Sequence, residues 1–277
     1  METPTLDSAN LTETQSMTID FHSLLGVKDR VVIITGAGQG IGRIFAHAFA
    51  AYGAVAVVAD LNKNKADAVA QEITELGRRA MAIAVDIGNF ESLQSMAKSV
   101  FDAYGRIDVL INNAGIFSTL EMRPFWEIPL DEWDRVMHVN ITGAMLATRA
   151  VVSYMQEAKW GRIINISSAS ILMGRPNYTH YTTSKSALVG MTRSMARELG
   201  EFYITVNAVM PGATQTEIPR KTVTPQQREA IISRQCVPRS QVPQDLLGAV
   251  VFLASQGSGF MTGQVMNVDG GSSHTGG

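Results

Sequence analysis

Tyr181 and Lys185 lie four residues apart at the start of a stretch with helical periodicity, Thr182 to Gly200, so their side chains share one face. A phenol titrates at about 10 in water, too high to trade protons at neutral pH, and an ammonium beside it stabilises the phenolate and lowers that value. The pair can therefore act as a general acid/base, although the same spacing also arises as a plain surface pair. Ser168 stands upstream of it, just past the apolar run Arg162 to Ile166, where a hydroxyl can hold a substrate oxygen while Tyr181 moves the proton. Ser167, Ser170 and Ser184 show how ordinary a loop serine is without such partners.

A second constellation lies near the N-terminus. Thr35-Gly36-Ala37-Gly38-Gln39-Gly40-Ile41-Gly42 follows a strand-like run and opens a helical one, a context in which glycine backbone approaches a pyrophosphate at a helix N-terminus. Ile41 stands where G-x-G-x-x-G would need its third glycine, so the spacing is Gly36-x3-Gly40-x-Gly42. Asp60 ends the next strand-like run, where a carboxylate accepts hydrogen bonds from the adenosine ribose and repels a 2′-phosphate. Neither Gln39 nor Leu61 nor Asn62 supplies a compensating cation, so this chemistry favours NAD over NADP. Asp86, at the end of a third run, is placed to face the adenine.

Short β-branched runs alternate with amphipathic stretches from Arg30 onward, which predicts βαβ units around a parallel sheet. Strands are expected at Val31 to Thr35, Val55 to Asp60, Met81 to Val85, Val109 to Asn112, Arg162 to Ile166, Thr205 to Val209 and Val265 to Val268. Helices are expected at Ile41 to Tyr52, Lys63 to Leu76, Phe90 to Tyr104, Asp131 to Lys159, Thr182 to Gly200 and Gln244 to Ala254. The fold class is α/β, a three-layer doubly wound Rossmann arrangement with a seven-stranded parallel sheet, and its ligand belongs beyond the carboxyl ends of the strands. Thr214 to Pro243, with Pro219, Pro225, Pro238 and Pro243, is too long for an ordinary connection and reads as a substrate lid. Ile218, Ile231 and Ile232 are its apolar contacts to a ligand.

Composition narrows the function. The chain has 277 residues, 45% hydrophobic and 17% charged, which fits one globular domain, residues 27–277, behind a flexible leader, residues 1–26. With 23 basic and 25 acidic residues, the net charge of -2 gives no footprint for nucleic acid or an anionic membrane. The leader has no Lys or Arg, so it resembles neither a signal nor a transit peptide, and no apolar run approaches the roughly 20 residues of a membrane helix. One cysteine, Cys236, makes no internal disulfide, and the location is read as cytoplasmic. The histidines His22, His47, His138, His180 and His274 lack metal-ligand spacing, so no metal site is expected; His180 adjoins Tyr181 and either lines the site or packs. The glycosylation-type motifs at Asn10, Asn140 and Asn165 carry no meaning in the cytoplasm.

Together with Asn112-Asn113-Ala114-Gly115, Asn140, Asn207, Pro211-Gly212 and Asp269-Gly270-Gly271, these residues make the chain resemble the short-chain dehydrogenase/reductase family over almost its whole length. The resemblance implies Tyr181 as acid/base, Ser168 orienting the carbonyl, Lys185 on the nicotinamide ribose and Asn140 holding a water of a proton relay. It implies a cofactor site of Gly36, Gln39, Gly40, Ile41, Gly42, Asp60, Asp86, Ile87, Asn113, Ala114, Gly115, Tyr181, Lys185, Pro211, Gly212, Thr214 and Thr216, with Thr216 on the carboxamide. It also implies a homotetramer, for which Ile141, Met145, Thr148, Val152 and Met155 form an apolar stripe able to meet its twin. The substrate wall is expected from Ile116, Phe117, Ile171, Leu172, Met173, Met210 and Ile218, which suits a hydrophobic secondary alcohol or ketone. Asn177 to His180 and Arg239 to Asp245 resemble bacterial dehydrogenases of aryl and alkyl secondary alcohols. A 3-oxoacyl-carrier-protein reductase is the rival within the family, disfavoured by Asp60, Glu201 and Phe202; a non-catalytic NAD(H)-binding sensor is the rival from another class.

Overall fold

Val31 and Ile33 face one side of the first strand and Val32 and Ile34 the other, and each side meets a different layer of buried helices. Such two-sided burial is what a run of consecutive β-branched residues requires. The computed structural model describes residues 24–219 and 225–274, together with Asp20. Its strands are β1 (Val31–Thr35), β2 (Val55–Asp60), β3 (Ala80–Ala84), β4 (Val109–Asn112), β5 (Gly161–Ile166), β6 (Ile204–Pro211) and β7 (Val265–Val268). They form one seven-stranded sheet in the order β3-β2-β1-β4-β5-β6-β7, parallel throughout.

Helices α1 (Gly40–Ala51), α2 (Lys63–Glu75) and α9 (Leu247–Ala254) supply buried residues such as Phe45, Ile73 and Leu253 to one face. On the other face lie α3 (Phe90–Tyr104), α5 (Gly143–Ala158) and α7 (Thr179–Leu199), through Leu93, Val151 and Ala196. This is the three-layer doubly wound fold expected from the alternating pattern. Strand order reverses between β1 and β4, so the loops after β1, β4 and β5 open onto one crevice. A buried polar ladder ties that region together. Asn112 Nδ2 donates to Thr148 Oγ1 (3.1 Å) and Asn165 Oδ1 (2.9 Å), and Asn165 Nδ2 donates to Thr192 Oγ1 (2.8 Å). Strands β4 and β5 are thereby fixed to α5 and α7.

Several expectations are corrected. The long helix Asp131 to Lys159 is instead α4 (Leu130–Met137), a π-helical turn at His138–Thr142, and α5. Thr148 and Met155, read as part of a stripe facing another subunit, are buried in this chain, the first against Asn112 and the second beneath Gly161. Met210 lies inside β6 among core residues and forms no part of a substrate wall. Helix α7 starts at Thr179, three residues earlier than the periodicity placed it, and Gln244 to Ala254 divides into a 3-10 turn, Pro243–Leu246, and α9. Two helices were not anticipated, α6 (Ser170–Met173) and α8 (Pro225–Ile232).

The buried Asn140 and Asn165 are unavailable to glycosylation, and Asn10 falls outside the described residues. So does most of the leader; Val27, just after it, is already in the core. Among the described residues no helix is long and apolar enough to cross a membrane, and no His, Cys, Asp and Glu cluster has the makings of a metal site.

Candidate active site

The loop after β1 is packed so tightly that only glycine fits. A Cβ on Gly36 would lie 2.8 Å from the Ala114 backbone, and one on Gly42 would lie 2.4 Å from the Gly36 carbonyl oxygen. Gly36 and Gly40 also have φ of +64° and +61°, in the left-handed region that glycine enters without strain. Asn113 Nδ2 donates to the carbonyls of Thr35 (2.9 Å) and Gly36 (3.1 Å), which locks the loop onto the end of β4. The N-terminus of α1 thus presents bare backbone to the crevice, the arrangement that receives a diphosphate. These residues fit a dinucleotide.

Asp60 ends β2 beside that loop. Its Oδ2 accepts from the Gly38 amide and its Oδ1 from the Asn62 amide, both at 2.9 Å, so the carboxylate is oriented and keeps lone pairs for ribose hydroxyls. A cation missed in the sequence stands next to it: Lys65 Nζ donates to Gln39 Oε1 at 2.5 Å, and a Cβ on Gly38 would lie 2.7 Å from Lys65 Cβ. The signal lay in Asn62, whose side chain caps α2 by accepting from the Lys65 amide and so turns Lys65 back toward the glycine loop.

At the other end, β5 delivers Ser167 and Ser168 and the first turns of α7 deliver Tyr181 and Lys185. Lys185 is buried, and its Nζ donates to the Ile166 carbonyl (2.8 Å) and lies 5.9 Å from the centre of the Tyr181 ring. Burial lowers its pKa from the ordinary 10.5 to about 8. The backbone of Lys185 is held as well, because Ser167 Oγ donates to its carbonyl (2.7 Å). Ser168 Oγ accepts from the Ser170 amide (3.2 Å), which turns the hydroxyl into the first turn of α6. The Tyr181 ring packs on Phe117 at 4.5 Å between centroids.

Asn140 stands behind this wall, inside the π-helical turn. Its Oδ1 accepts from the Ile116 amide (2.7 Å), and its Nδ2 donates to Ser184 Oγ (3.0 Å), which in turn donates to the Tyr181 carbonyl (2.7 Å). The side chain is taken up by these bonds and does not line the cavity; here it positions the β4 loop against α7. Buried His180 also faces away from the cavity, with Nε2 3.4 Å from Glu132 Oε1 and a pKa lowered by burial.

One cavity of about 1200 Å³ joins the two ends. Its lining includes Gly36, Gln39, Ile41, Asp60, Asp86, Ile87, Asn113, Ala114, Gly115, Pro211, Gly212, Thr214 and Thr216 beside Ser168, Tyr181 and Lys185, whereas Gly40 and Gly42 stand behind the surface. Of the expected substrate wall, Ile116, Phe117, Met173 and Ile218 line it, but Ile171, Leu172 and Met210 do not. Ile231, expected as a contact of the lid, lines it too, whereas Met122, Arg175 and Arg234 were missed, because they come from irregular segments whose periodicity signals nothing. Within the expected lid, Ile231 faces this cavity while Ile232 lines a neighbouring one of about 210 Å³.

The lid segment is pinned at its base. Thr214 bridges Gln241, and the Val237 amide donates to the Gly270 carbonyl (3.0 Å). Residues 220–224 of it lie outside the described residues. At its start, Glu217 Oε1 accepts from the Gly40 amide (2.8 Å) and Ile218 Cδ1 lies 2.7 Å from where a Gly40 Cβ would be. A carboxylate therefore occupies one of the amides a diphosphate would use.

Comparison with known proteins agrees with this geometry. The family model described as enoyl-(acyl carrier protein) reductase matches residues 36–273, and the chain belongs to the short-chain dehydrogenase/reductase family. It is 40% identical over 253 residues to (2S)-[(R)-hydroxy(phenyl)methyl]succinyl-CoA dehydrogenase subunit BbsD of Thauera aromatica, covering 90% of this chain and 98% of that one. The 7α-hydroxysteroid dehydrogenase solved with NADH and 7-oxo glycochenodeoxycholic acid is 33% identical, with a TM-score of 0.84 over 90% of this chain and 96% of the other. A gluconate 5-dehydrogenase structure from Beutenbergia cavernae with bound NADP is 34% identical, with a TM-score of 0.82 over 90% and 98%. The protein is an oxidoreductase of this family and uses a nicotinamide cofactor, NAD or NADP.

Proposed function

We propose that the chain transfers hydride between NAD(H) and a hydrophobic secondary alcohol or ketone. The observation that carries this reading is the placement of Ser168, Tyr181 and Lys185 on one cavity whose far end is Asp60 and the glycine loop. Bound there, a nicotinamide supplies the hydride acceptor or donor. Ser168 orients the substrate oxygen, Tyr181 takes or gives its hydroxyl proton, and Lys185, whose ammonium favours the phenolate, holds the ribose. Asn140 acts as a positioning residue through Ile116 and Ser184. Asp60 supports NAD as the preferred cofactor, and Gly115, Thr214 and Thr216 bound its nicotinamide end.

Phe117, Met122, Met173, Ile218 and Ile231 support an apolar substrate body. The phenyl-bearing alcohol of the Thauera relative's name and the steroid of the solved relative are bodies of that kind. We further read the chain as a cytoplasmic homotetramer; Ile141, Met145 and Val152, only partly buried here, are the remaining surface for it. Light scattering at micromolar concentration tests assembly, and a monomer refutes it. Turnover of a panel of secondary alcohols and acyl thioesters with NAD and with NADP, followed by absorbance of the reduced cofactor, tests the activity. Preference for NAD and an aryl or alkyl carbinol is the expected result. Preference for NADP and a 3-oxoacyl thioester would replace it with carrier-protein chemistry, and binding without turnover would leave a sensor.

A further inference from the structure

We propose that the substrate is an acid-bearing alcohol or ketone, its carboxylate or phosphate held by Arg175 and Arg234; this rests on the oxidoreductase reading above. A cavity of about 1200 Å³ exceeds the roughly 300–1000 Å³ usual for one small ligand, so it holds a cofactor and a sizeable second molecule. Around Tyr181 its surface combines apolar side chains such as Phe117, Met122 and Met173 with neutral hydroxyls such as Ser118 and Ser168, and its cations apart from the catalytic Lys185 are these two guanidinium groups, which reach it from separate segments, the loop before α7 and the turn after α8.

The two differ from the arginines of the chain that carry an acidic partner. Arg30 and Arg106 pair with Asp108, Arg43 with Glu72, Arg79 with Asp29, Arg123 with Glu121 and Arg239 with Asp245. No acidic side chain among the described residues pairs with Arg175 or Arg234. The acidic groups lining the cavity, Asp60 and Asp86, belong to its nucleotide end, and Arg135 lies one helical turn before His138, which closes on Gly88 at that same end.

Arg175 is also pre-positioned. It sits between Gly174, in the left-handed region at φ +57°, and Pro176, whose ring fixes the following backbone. Its guanidinium lies 4.6 Å above the ring of Tyr178, which is wholly buried and packs on Phe117, the same ring that supports Tyr181. The half-buried cation is thus held on an aromatic platform that continues to the reacting phenol, with its donor edge left for a planar or tetrahedral oxyacid. Arg234, exposed at the rim, adds a second donor set and makes the field at the substrate end positive.

The test uses the full-length protein with NAD and secondary alcohols sharing one aryl skeleton: the free carboxylic acid, its methyl ester and the corresponding phosphate. Wild type is expected to turn over the anionic members with kcat/KM at least about tenfold above the ester, an advantage that shrinks as salt rises. Arg175→Met, Arg234→Met and the double variant should lower that acid-to-ester ratio stepwise toward one, while NADH affinity by fluorescence titration stays within about twofold of wild type. Carboxylate against phosphate identifies which oxyacid the pair fits. An ester preferred by wild type, or a ratio unmoved by both substitutions, overturns the proposal and leaves the hydride-transfer reading intact. Failure of every member to turn over, with NADH still bound, overturns both.

Discussion

The two walls of the cavity are built by different means. On the β4–β5–α7 side, buried side chains bond to backbone at fixed distances: Asn140 to Ile116, Ser167 to the Lys185 carbonyl, Lys185 to the Ile166 carbonyl, all backed by the Asn112–Asn165–Thr192 ladder. On the side of residues 214–241 the segment is pinned at its base, and the contacts reaching the glycine loop come from the partly exposed Glu217 and Ile218. The first wall is preorganised for one chemistry. If the second, as proposed, admits and discriminates ligands, substitutions in the two should separate rate from binding.

The largest separation is expected at Tyr181. Tyr181→Phe should lower kcat by about 10²–10⁴-fold, the range of a lost acid/base group, with NADH affinity changed less than about twofold. Near-normal turnover would show that the proton moves elsewhere.

Lys185 gives a pH-dependent contrast. Its pKa of about 8 lies below the ordinary 10.5, so between those values the unfolded chain holds a proton that the folded chain lacks. Stability from this group therefore rises with pH across that window, and below pH 8 the cost of the buried ammonium is constant. Relative to Lys185→Met, the wild-type unfolding free energy should gain on the order of 3 kcal/mol from pH 7.5 to 10.5, measured by urea denaturation. A flat difference would mean the ammonium is solvated.

Smaller effects belong to the nucleotide end. Asp60→Ala should shift the NAD to NADP ratio of kcat/KM toward NADP by roughly 10- to 100-fold, because it removes a like charge and leaves Lys65 beside the glycine loop. In the double variant with Lys65→Met, part of that shift should be lost; an unchanged ratio in Asp60→Ala removes the carboxylate from cofactor choice. The smallest effect is expected at Glu217. Glu217→Gln should tighten NADH binding a few-fold, since the carboxylate both occupies the Gly40 amide and repels a diphosphate. Weaker binding would show that the loop assists the cofactor.

What could be read from sequence follows the same division. The apolar runs and the residues that terminate them placed all seven strands to within two residues at each end; in the central strands burial on both faces leaves a continuous apolar signal, while the partly buried edge strands β3 and β7 are marked by short runs. Ser168, Tyr181 and Lys185 were legible because their spacing is local to one strand end and one helix. Arg175 and Arg234, which meet the cavity from loops, and Lys65, which a helix cap turns toward Gln39, were not, since no period reports the path of a loop or a cap. The wall expected from Ile171, Leu172 and Met210 failed for a related reason: apolar character marks a pocket residue, a core residue such as Met210 and a surface residue such as Leu172 alike. The stripe at Thr148 and Met155 failed because a helix laid on a sheet has more than one apolar side.

The π-helical turn at His138–Thr142 carries one more residue than an α-helical path between α4 and α5 would need. Deleting a single residue there would let the hydrogen-bond ladder close as an uninterrupted helix, a more regular and locally better-bonded element. Each residue of an α-helix turns about 100°, so the same deletion would swing either Asn140 away from Ile116 or Thr148 away from Asn112. Loss of a residue in this turn is thus a lesion that both a thermal melt and a turnover assay would register, because it unpairs buried polar groups as well as displacing a wall of the cavity.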